Sequence, residues 1–237
     1  MSSIKEKSMP AGLDGNPDPI RSARRDQLLD ELVVRIASIQ AQSTVLVGVD
    51  GEGGTGKSTL ADELAQWLRK AGRTVVRSTT DSFHNPSAVR AKRGRWSPEG
   101  YFLDSHNLGA LKTLLLDPFS QGKPFKVACF DAPSDQPVEA PTESAPAGAI
   151  LVFDGLFLHR PELRPYWAYS VFLRSTSRLQ KRRAAWAATA PPETVDAFKR
   201  RYGEGWQLYI KKCDPIACAN CLIDNDDFSA PYLVEEP

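Results

Sequence analysis

Eight consecutive residues have the types and order that bind phosphate groups. Gly51-Glu52-Gly53-Gly54-Thr55-Gly56-Lys57-Ser58 matches the pattern G-x-x-x-x-G-K-S. Glycines let the backbone wrap around phosphate oxygens with its N–H groups pointing inward, and a helix that follows adds partial positive charge. Lys57 is predicted to reach the β and γ phosphates of ATP, and Ser58 to ligate Mg²⁺. The predicted phosphate-binding residues are Gly51, Gly53, Gly54, Thr55, Gly56, Lys57, Ser58 and Thr59.

The segments on either side of this loop are those that such a motif requires. The apolar run 44–49 predicts a central strand buried on both faces. After the loop, apolar residues recur at helical spacing up to about Lys70, and Gly72 is the expected stop. A strand before the loop and a helix after it distinguish a phosphate site from a glycine-rich turn that matches by chance.

Further apolar runs predict an α/β fold with a mostly parallel sheet and right-handed crossovers, because strand patterns alternate with helix patterns. A polar, basic loop is predicted over 90–100 and a low-complexity surface loop over 133–148. Strands are predicted at 74–79, 124–130, 149–153, 169–173 and 222–223, and helices at 28–39, 108–116, 176–188 and 193–210.

Two carboxylates follow strands whose carboxyl ends should meet the phosphate loop at one edge of the sheet. Asp81 comes just after the second strand and could take a proton from an acceptor hydroxyl, or simply cap a turn. Asp154 ends a later apolar strand, where it could help to hold Mg²⁺ or be an ordinary Asp-Gly turn residue.

The order of these motifs resembles the uridine kinase and phosphoribulokinase group of P-loop kinases over about residues 43–233. It is carried by the phosphate loop, Asp81-Ser82-Phe83-His84, the segment from Ser97-Pro98-Glu99-Gly100-Tyr101 to Asp104, Phe153-Asp154-Gly155-Leu156-Phe157 and Asp224-Asn225. The resemblance implies a P-loop NTPase fold with helices on both faces of the sheet and a small helical lid. It also implies that Asp81 is the general base, and that Ser58 and Asp154 serve the metal.

On the acceptor side, the resemblance implies contacts from Phe83, His84, Tyr101 and Phe130, although a surface position for His84 stays open. The chain departs from the group here. Asp154-Gly155 stands where the group has Glu-Gly, the Phe130 region lacks a histidine, and Trp96 or Arg95 replaces an acidic residue. These departures concern the acceptor pocket and argue against uridine itself.

A cluster of basic residues follows the strand that ends at Leu173. Arg178 and Arg182 are four residues apart and therefore share one face of a helix. The resemblance makes them lid arginines, within about 175–200, that stabilise charge on the γ phosphate. A solvated basic helix face is the alternative. His106 and His159 lack a partner motif and are predicted to be structural or surface residues.

Composition restricts the function further. The chain has 237 residues, 41% hydrophobic and 25% charged, which predicts one domain over 21–237 after a disordered leader at 1–20. A net charge of +1 argues against nucleic-acid and membrane surfaces, and no signal peptide or membrane span is apparent, so a cytoplasmic location is expected. Cys213, Cys218 and Cys221 lie close together but lack a fourth zinc ligand, so reduced cysteines are expected.

These observations predict an ATP-dependent small-molecule kinase with an alcohol acceptor. A nucleoside is the first acceptor expected; a sugar, sugar phosphate or pantothenate-like alcohol is the alternative. A GTPase is disfavoured because the chain has no N-K-x-D motif. The competing class is a regulatory nucleotide-binding protein that hydrolyses slowly or not at all. Beyond a small-molecule acceptor, self-association into a homo-oligomer stays open.

Overall fold

The computed structural model describes residues 22–39 and 44–234. Its strands are β1 Val45–Gly51, β2 Val75–Thr79, β3 Phe130–Asp131, β4 Gln136–Pro137, β5 Ile150–Gly155, β6 Tyr169–Arg174, β7 Cys221–Asp224 and β8 Tyr232–Val234. Six of them form one sheet in the order β2-β5-β1-β6-β7-β8, in which every pairing except that of β7 with β8 is parallel. The predicted α/β fold with a mostly parallel sheet is confirmed. The 1–20 leader lies outside the described residues.

Helices connect the parallel strands. They are α1 Ala23–Ala37, α2 Lys57–Lys70, α3 Ser87–Arg90, α4 Pro98–Asp104, α5 Leu108–Leu111, α6 Asp117–Ser120, α7 Thr176–Ala187, α8 Pro192–Phe198, α9 Gly205–Cys213 and α10 Pro215–Cys218. A π-helical turn at Lys112–Leu116 joins α5 to α6, and another at Lys199–Glu204 joins α8 to α9.

Both faces of the sheet are covered, because successive side chains of a strand point to opposite faces. In β1, Val45, Val47 and Val49 pack in the core cluster that contains the apolar side chains of α1 and α2. Leu46 points the other way, into the cluster formed with α5, α6 and the π-helical turn between them. Every residue of β1 is buried, as the continuous apolar run predicts.

Most predicted elements are present, and the exceptions have physical reasons. The strand predicted at 124–130 is wrong, because only Phe130–Asp131 is a strand and Phe125 makes an isolated bridge to Glu143. The polar loop predicted at 90–100 ends early, since Pro98 begins α4. The helix predicted at 108–116 continues to Ser120. Strand β8 was missed, since its pairing with β7 is set by tertiary structure and not by a local pattern.

Among the helices of the described residues, none is both long enough and apolar enough to cross a lipid bilayer.

Candidate functional site

The phosphate loop connects β1 to α2 at the carboxyl edge of the sheet. Gly51, Gly54 and Gly56 have φ values of +152°, +84° and +92°, a region that side chains disfavour. A Cβ atom on Gly51 would lie 2.4 Å from the backbone oxygen of Leu173, and one on Gly56 would lie 2.8 Å from Asn225 Nδ2. Both glycines are therefore required by backbone conformation and by packing. The strand, loop and helix have the arrangement that binds phosphate oxygens.

Lys57, at the start of α2, places its ammonium group inside the loop. The side chain is largely buried, and Nζ donates a hydrogen bond of 2.9 Å to the backbone oxygen of Glu52. Burial lowers the pKa of Lys57, although the charges of Asp154, Asp50, Asp81 and Glu52 oppose the shift. A poorly solvated cation next to inward-facing amides is suited to binding an anion.

Ser58 and Asp154 are brought together beside Lys57. The exposed Ser58 hydroxyl donates to Asp154 Oδ2 at 2.7 Å, while the carboxylate itself is only 2% exposed. Arg77 Nη2 binds the other carboxylate oxygen, Oδ1, at 2.8 Å and also pairs with the exposed Asp62. Ser58 is thus the group open to a metal ion, and Asp154 lies behind it as the acceptor that orients its hydroxyl. This role of Arg77 has no signal in the sequence, because it depends on the pairing of β2 with β5.

Asp81 lies in a 3₁₀ turn after β2, at the same edge of the sheet as Lys57. His84 Nε2 lies 3.3 Å from Asp81 Oδ1, and the Asp81 side chain is 71% exposed. Loss of hydration would raise the pKa of Asp81, but the hydrogen bond with His84 and the charges of His84 and Lys57 lower it overall. The carboxylate is therefore ionised at neutral pH and open to a ligand.

His106 completes this cluster and was not assigned to the site from the sequence. It forms an isolated antiparallel bridge with His84, and the two rings meet edge to face with centroids 4.8 Å apart. Burial and, second to it, the charge of His84 lower the pKa of His106 to about 3, so the imidazole is neutral at physiological pH. His84 Nδ1 and His106 Nε2 are buried side-chain nitrogens without a hydrogen-bond partner.

The aromatic residues predicted to contact the acceptor have different environments. Phe83 is completely buried and packs in the core cluster beneath β2 and β5, so its predicted contact is not available in this structure. Phe130 is also buried, at 6% exposure. Tyr101, on α4, is half-buried against Phe157 and Tyr202.

The predicted lid arginines project from α7 toward the phosphate loop. Arg178 Nη2 donates to the backbone oxygen of Gly54 at 2.6 Å, and its guanidinium lies 3.5 Å from the centroid of the Phe228 ring. Arg182 Nη1 would be 3.7 Å from a Cβ on Gly54. Burial lowers the pKa of Arg178 to about 10, helped by the charge of Arg182, so it stays a cation at neutral pH. Asn225, which donates to the oxygen of Thr55 at 2.8 Å, braces the loop from the other side.

A buried polar network supports the root of the phosphate loop. Asp50, which directly precedes the loop, accepts hydrogen bonds from the Gly51 amide, the Tyr209 hydroxyl and His159, whose Nδ1 lies 2.7 Å from Oδ2. His159 Nε2 lies 2.9 Å from Ser170 Oγ. These side chains are at most 2% exposed. The hydrogen-bonded series Ser170, His159 and Asp50 is therefore closed to solvent and supports the loop. His159, predicted to be a structural or surface residue, is buried.

The fold is shared with solved kinase structures. One is described as a possible uridine kinase from Bacillus stearothermophilus, 23% identical, with a TM-score of 0.69 over 83% of this chain and 97% of that chain. The chain has the fold of the P-loop kinases. A candidate fructose transport system kinase from Silicibacter sp. TM1040 is 20% identical, with a TM-score of 0.63 over 79% of this chain and 94% of that chain. D-glycerate 3-kinase from Cryptococcus neoformans var. grubii is 14% identical, with a TM-score of 0.55 over 90% of this chain and 100% of that chain. No family model and no curated protein matches the sequence.

Within this P-loop kinase fold, the four cysteines do not converge with other potential ligands into a group of three over the described residues. The four cysteines are free thiols, and Cys218 Sγ contacts the backbone oxygen of Cys213 at 3.6 Å. Over residues 22–39 and 44–234, the potential metal ligands that converge in a group of three are Asp81, His84 and His106.

Proposed function

We propose that this protein is an ATP-dependent kinase that transfers the γ phosphate to a hydroxyl group of a small molecule. The observation that carries the proposal is the position of Asp81: an ionised, exposed carboxylate at the sheet edge that holds the phosphate loop. It lies close enough to Lys57 for each charge to influence the pKa of the other. A nucleotide-binding protein without transfer activity has no need of an exposed base there.

Each residue of the proposed site has a separate role in the reaction. Asp81 accepts the proton of the acceptor hydroxyl, whose oxygen attacks the γ phosphorus in line as the bond to the β–γ bridging oxygen breaks and ADP leaves. Lys57, Arg178 and Arg182 neutralise the negative charge that spreads over the γ phosphate. Ser58 faces the position of a metal ion, and Asp154 fixes its hydroxyl. Mg²⁺, when bound with ATP, would supply positive charge that offsets the charge of the phosphate groups.

The acceptor that best suits the side chains around Asp81 is a small polyhydroxyl compound such as a sugar, a sugar phosphate or a sugar acid. Phe83 and Phe130 are buried, which removes two aromatic surfaces on which a base could stack. The imidazoles of His84 and His106 beside Asp81 supply polar groups instead, with Nε2 of His84 lying 3.3 Å from Oδ1 of Asp81. A nucleoside is the second candidate, because the possible uridine kinase has the highest TM-score of the structures compared above.

A screen of acceptors tests the proposal. We expect Mg²⁺- and ATP-dependent ADP release to be stimulated by one compound from a panel of sugars, sugar phosphates, sugar acids, nucleosides and pantothenate. Phosphorylated product, identified by mass spectrometry, separates transfer from ATP hydrolysis. Stimulation by nucleosides alone would contradict the polyhydroxyl assignment and identify a nucleoside as the acceptor. The absence of stimulation by any compound, with ATP bound normally, would support a regulatory nucleotide-binding protein instead.

The pair of Arg77 with Asp154 predicts a change in metal dependence. In Asp154→Asn, the acceptor that orients the Ser58 hydroxyl loses its charge, and the Mg²⁺ concentration for half-maximal activity should rise by about 10–100-fold. The measurement is ADP release titrated with Mg²⁺ at a fixed ATP concentration. Asp62→Asn is the matched control, because it removes only the exposed partner of Arg77. Equal Mg²⁺ requirements in both variants would contradict the role of Asp154.

A further inference from the structure

Asp81, His84 and His106 form a compact cluster, here called the imidazole cluster, beside the phosphate loop. One potential ligand atom from each residue lies within 4.8 Å of the other two. Asp81 lies in the 3₁₀ turn after β2, and His84 is the residue that ends this turn. His106 lies in the segment after α4 and is held next to His84 by their isolated bridge. The cluster is separate from Ser58 and Asp154, the residues assigned to Mg²⁺.

Two features of the imidazole cluster indicate a missing ligand. His106 is only 4% exposed, and its buried Nε2 has no hydrogen-bond partner, which is costly for a polar atom. Nε2 of His84, the ring nitrogen that faces Asp81, lies 3.3 Å from Oδ1, at the long end of hydrogen-bond distances. The rings can therefore still accept a hydrogen bond from a hydroxyl group or bind a metal ion through a ring nitrogen, because the neighbouring side chains do not fill this role.

We propose that the imidazole cluster binds a transition-metal ion of the Zn²⁺ class, with Asp81, His84 and His106 as ligands. Two imidazoles and one carboxylate form a donor set that suits Zn²⁺, whereas Mg²⁺ prefers oxygen ligands. Ligands in a tetrahedral zinc site lie about 3.3–3.4 Å apart, and the distance between His84 Nε2 and Asp81 Oδ1 is 3.3 Å. The three candidate ligand atoms lie within 4.8 Å of one another, so a bound ion would draw the exposed Asp81 carboxylate and the two rings closer together. The fourth position is open to water.

This metal would regulate the reaction, an inference that rests on the proposed function. A metal ion on Asp81 withdraws the carboxylate from the acceptor hydroxyl and occupies the space next to the imidazoles. Zn²⁺ would therefore inhibit transfer in competition with the acceptor, while the Ser58 side of the site continues to bind Mg²⁺ and ATP.

The test uses Co²⁺ as a spectroscopic probe on the full chain with reduced thiols and without nucleotide. We expect one Co²⁺ per chain with d–d absorption of a four- or five-coordinate ion and no thiolate charge-transfer band. Displacement by Zn²⁺ should remove the absorption. X-ray absorption of the zinc adduct should show imidazole scattering and no sulfur. The absence of stoichiometric binding, or a thiolate band that places the metal on cysteines, would overturn the proposal.

Single substitutions locate the metal. His84→Asn and His106→Asn should each weaken Co²⁺ binding by about 100-fold or more, because loss of a ligand exceeds the effect of an outer hydrogen bond. Cys218→Ser is the control and should bind as the parent does. Far-UV circular dichroism and thermal unfolding check that each variant is folded. His84→Asn, at a half-buried position, keeps the test decisive if His106→Asn does not fold. Parent-like binding in His84→Asn would contradict the assignment.

The metal proposal and the kinase proposal fail in different measurements. If no acceptor stimulates ADP release, the Co²⁺ spectrum and its loss in His84→Asn are unaffected, and the metal site stands. If transfer is observed but Co²⁺ does not bind, the imidazole cluster serves the acceptor alone and the metal proposal is wrong.

Discussion

In Asp81→Asn, acceptor-dependent ADP release should fall by about 10²–10⁴-fold, the usual contribution of a general base. The amide has the shape of the carboxylate but cannot accept the hydroxyl proton. ATP binding should be retained, because the phosphate loop lies on a different segment. The readouts are kcat for transfer and the Kd of ATP measured without acceptor.

Asp30→Asn is the matched control for this substitution. Asp30 is exposed on α1, outside the proposed site, so the same chemical change should leave transfer unaltered. The pH dependence gives a second check. The pKa of Asp81 is held below its ordinary value of about 4, so in the parent protein this base stays ionised through neutral and mildly acidic pH. Transfer by Asp81→Asn at the parental rate would contradict its role as the base.

In Lys57→Met, we expect transfer to fall by about 10²–10³-fold, the cost of removing a group that stabilises charge in the transition state. ATP binding should weaken as well, because in the proposed reaction the ammonium group would contact the β and γ phosphates before and during transfer. Initial-rate kinetics over a range of ATP concentrations separate the loss in kcat from the rise in KM.

Stability distinguishes this effect from misfolding. Burial lowers the pKa of Lys57, so folding disfavours its charged form, and Lys57→Met should unfold at the same temperature as the parent or at a higher one. Lys70→Met is the control on the same helix: Lys70 is exposed at the end of α2, over the Trp67 ring. Loss of transfer in both variants would indicate a general effect of methionine on α2.

The sequence by itself determined the donor half of the site. The phosphate loop is a continuous segment, and its glycines, Lys57 and Ser58 have local roles that follow from residue type and spacing. The apolar runs of β1 and β5 also determined the parallel α/β sheet, because strands buried on both faces need continuous apolar sequence. The edge positions of Asp81 and Asp154 followed from the ends of such strands.

Only the tertiary structure decided the acceptor half. His106 joins Asp81 and His84 through a bridge between two loop segments, and Arg77 reaches Asp154 across neighbouring strands. The burial of Phe83 depends on how α5 and α6 cover the sheet. The four-residue motif that contains Phe83 carries no information about this packing. The physical reason is the range of the interactions. A phosphate loop is made by neighbours in the chain, whereas a pocket is made by side chains that become neighbours only when distant segments pack together.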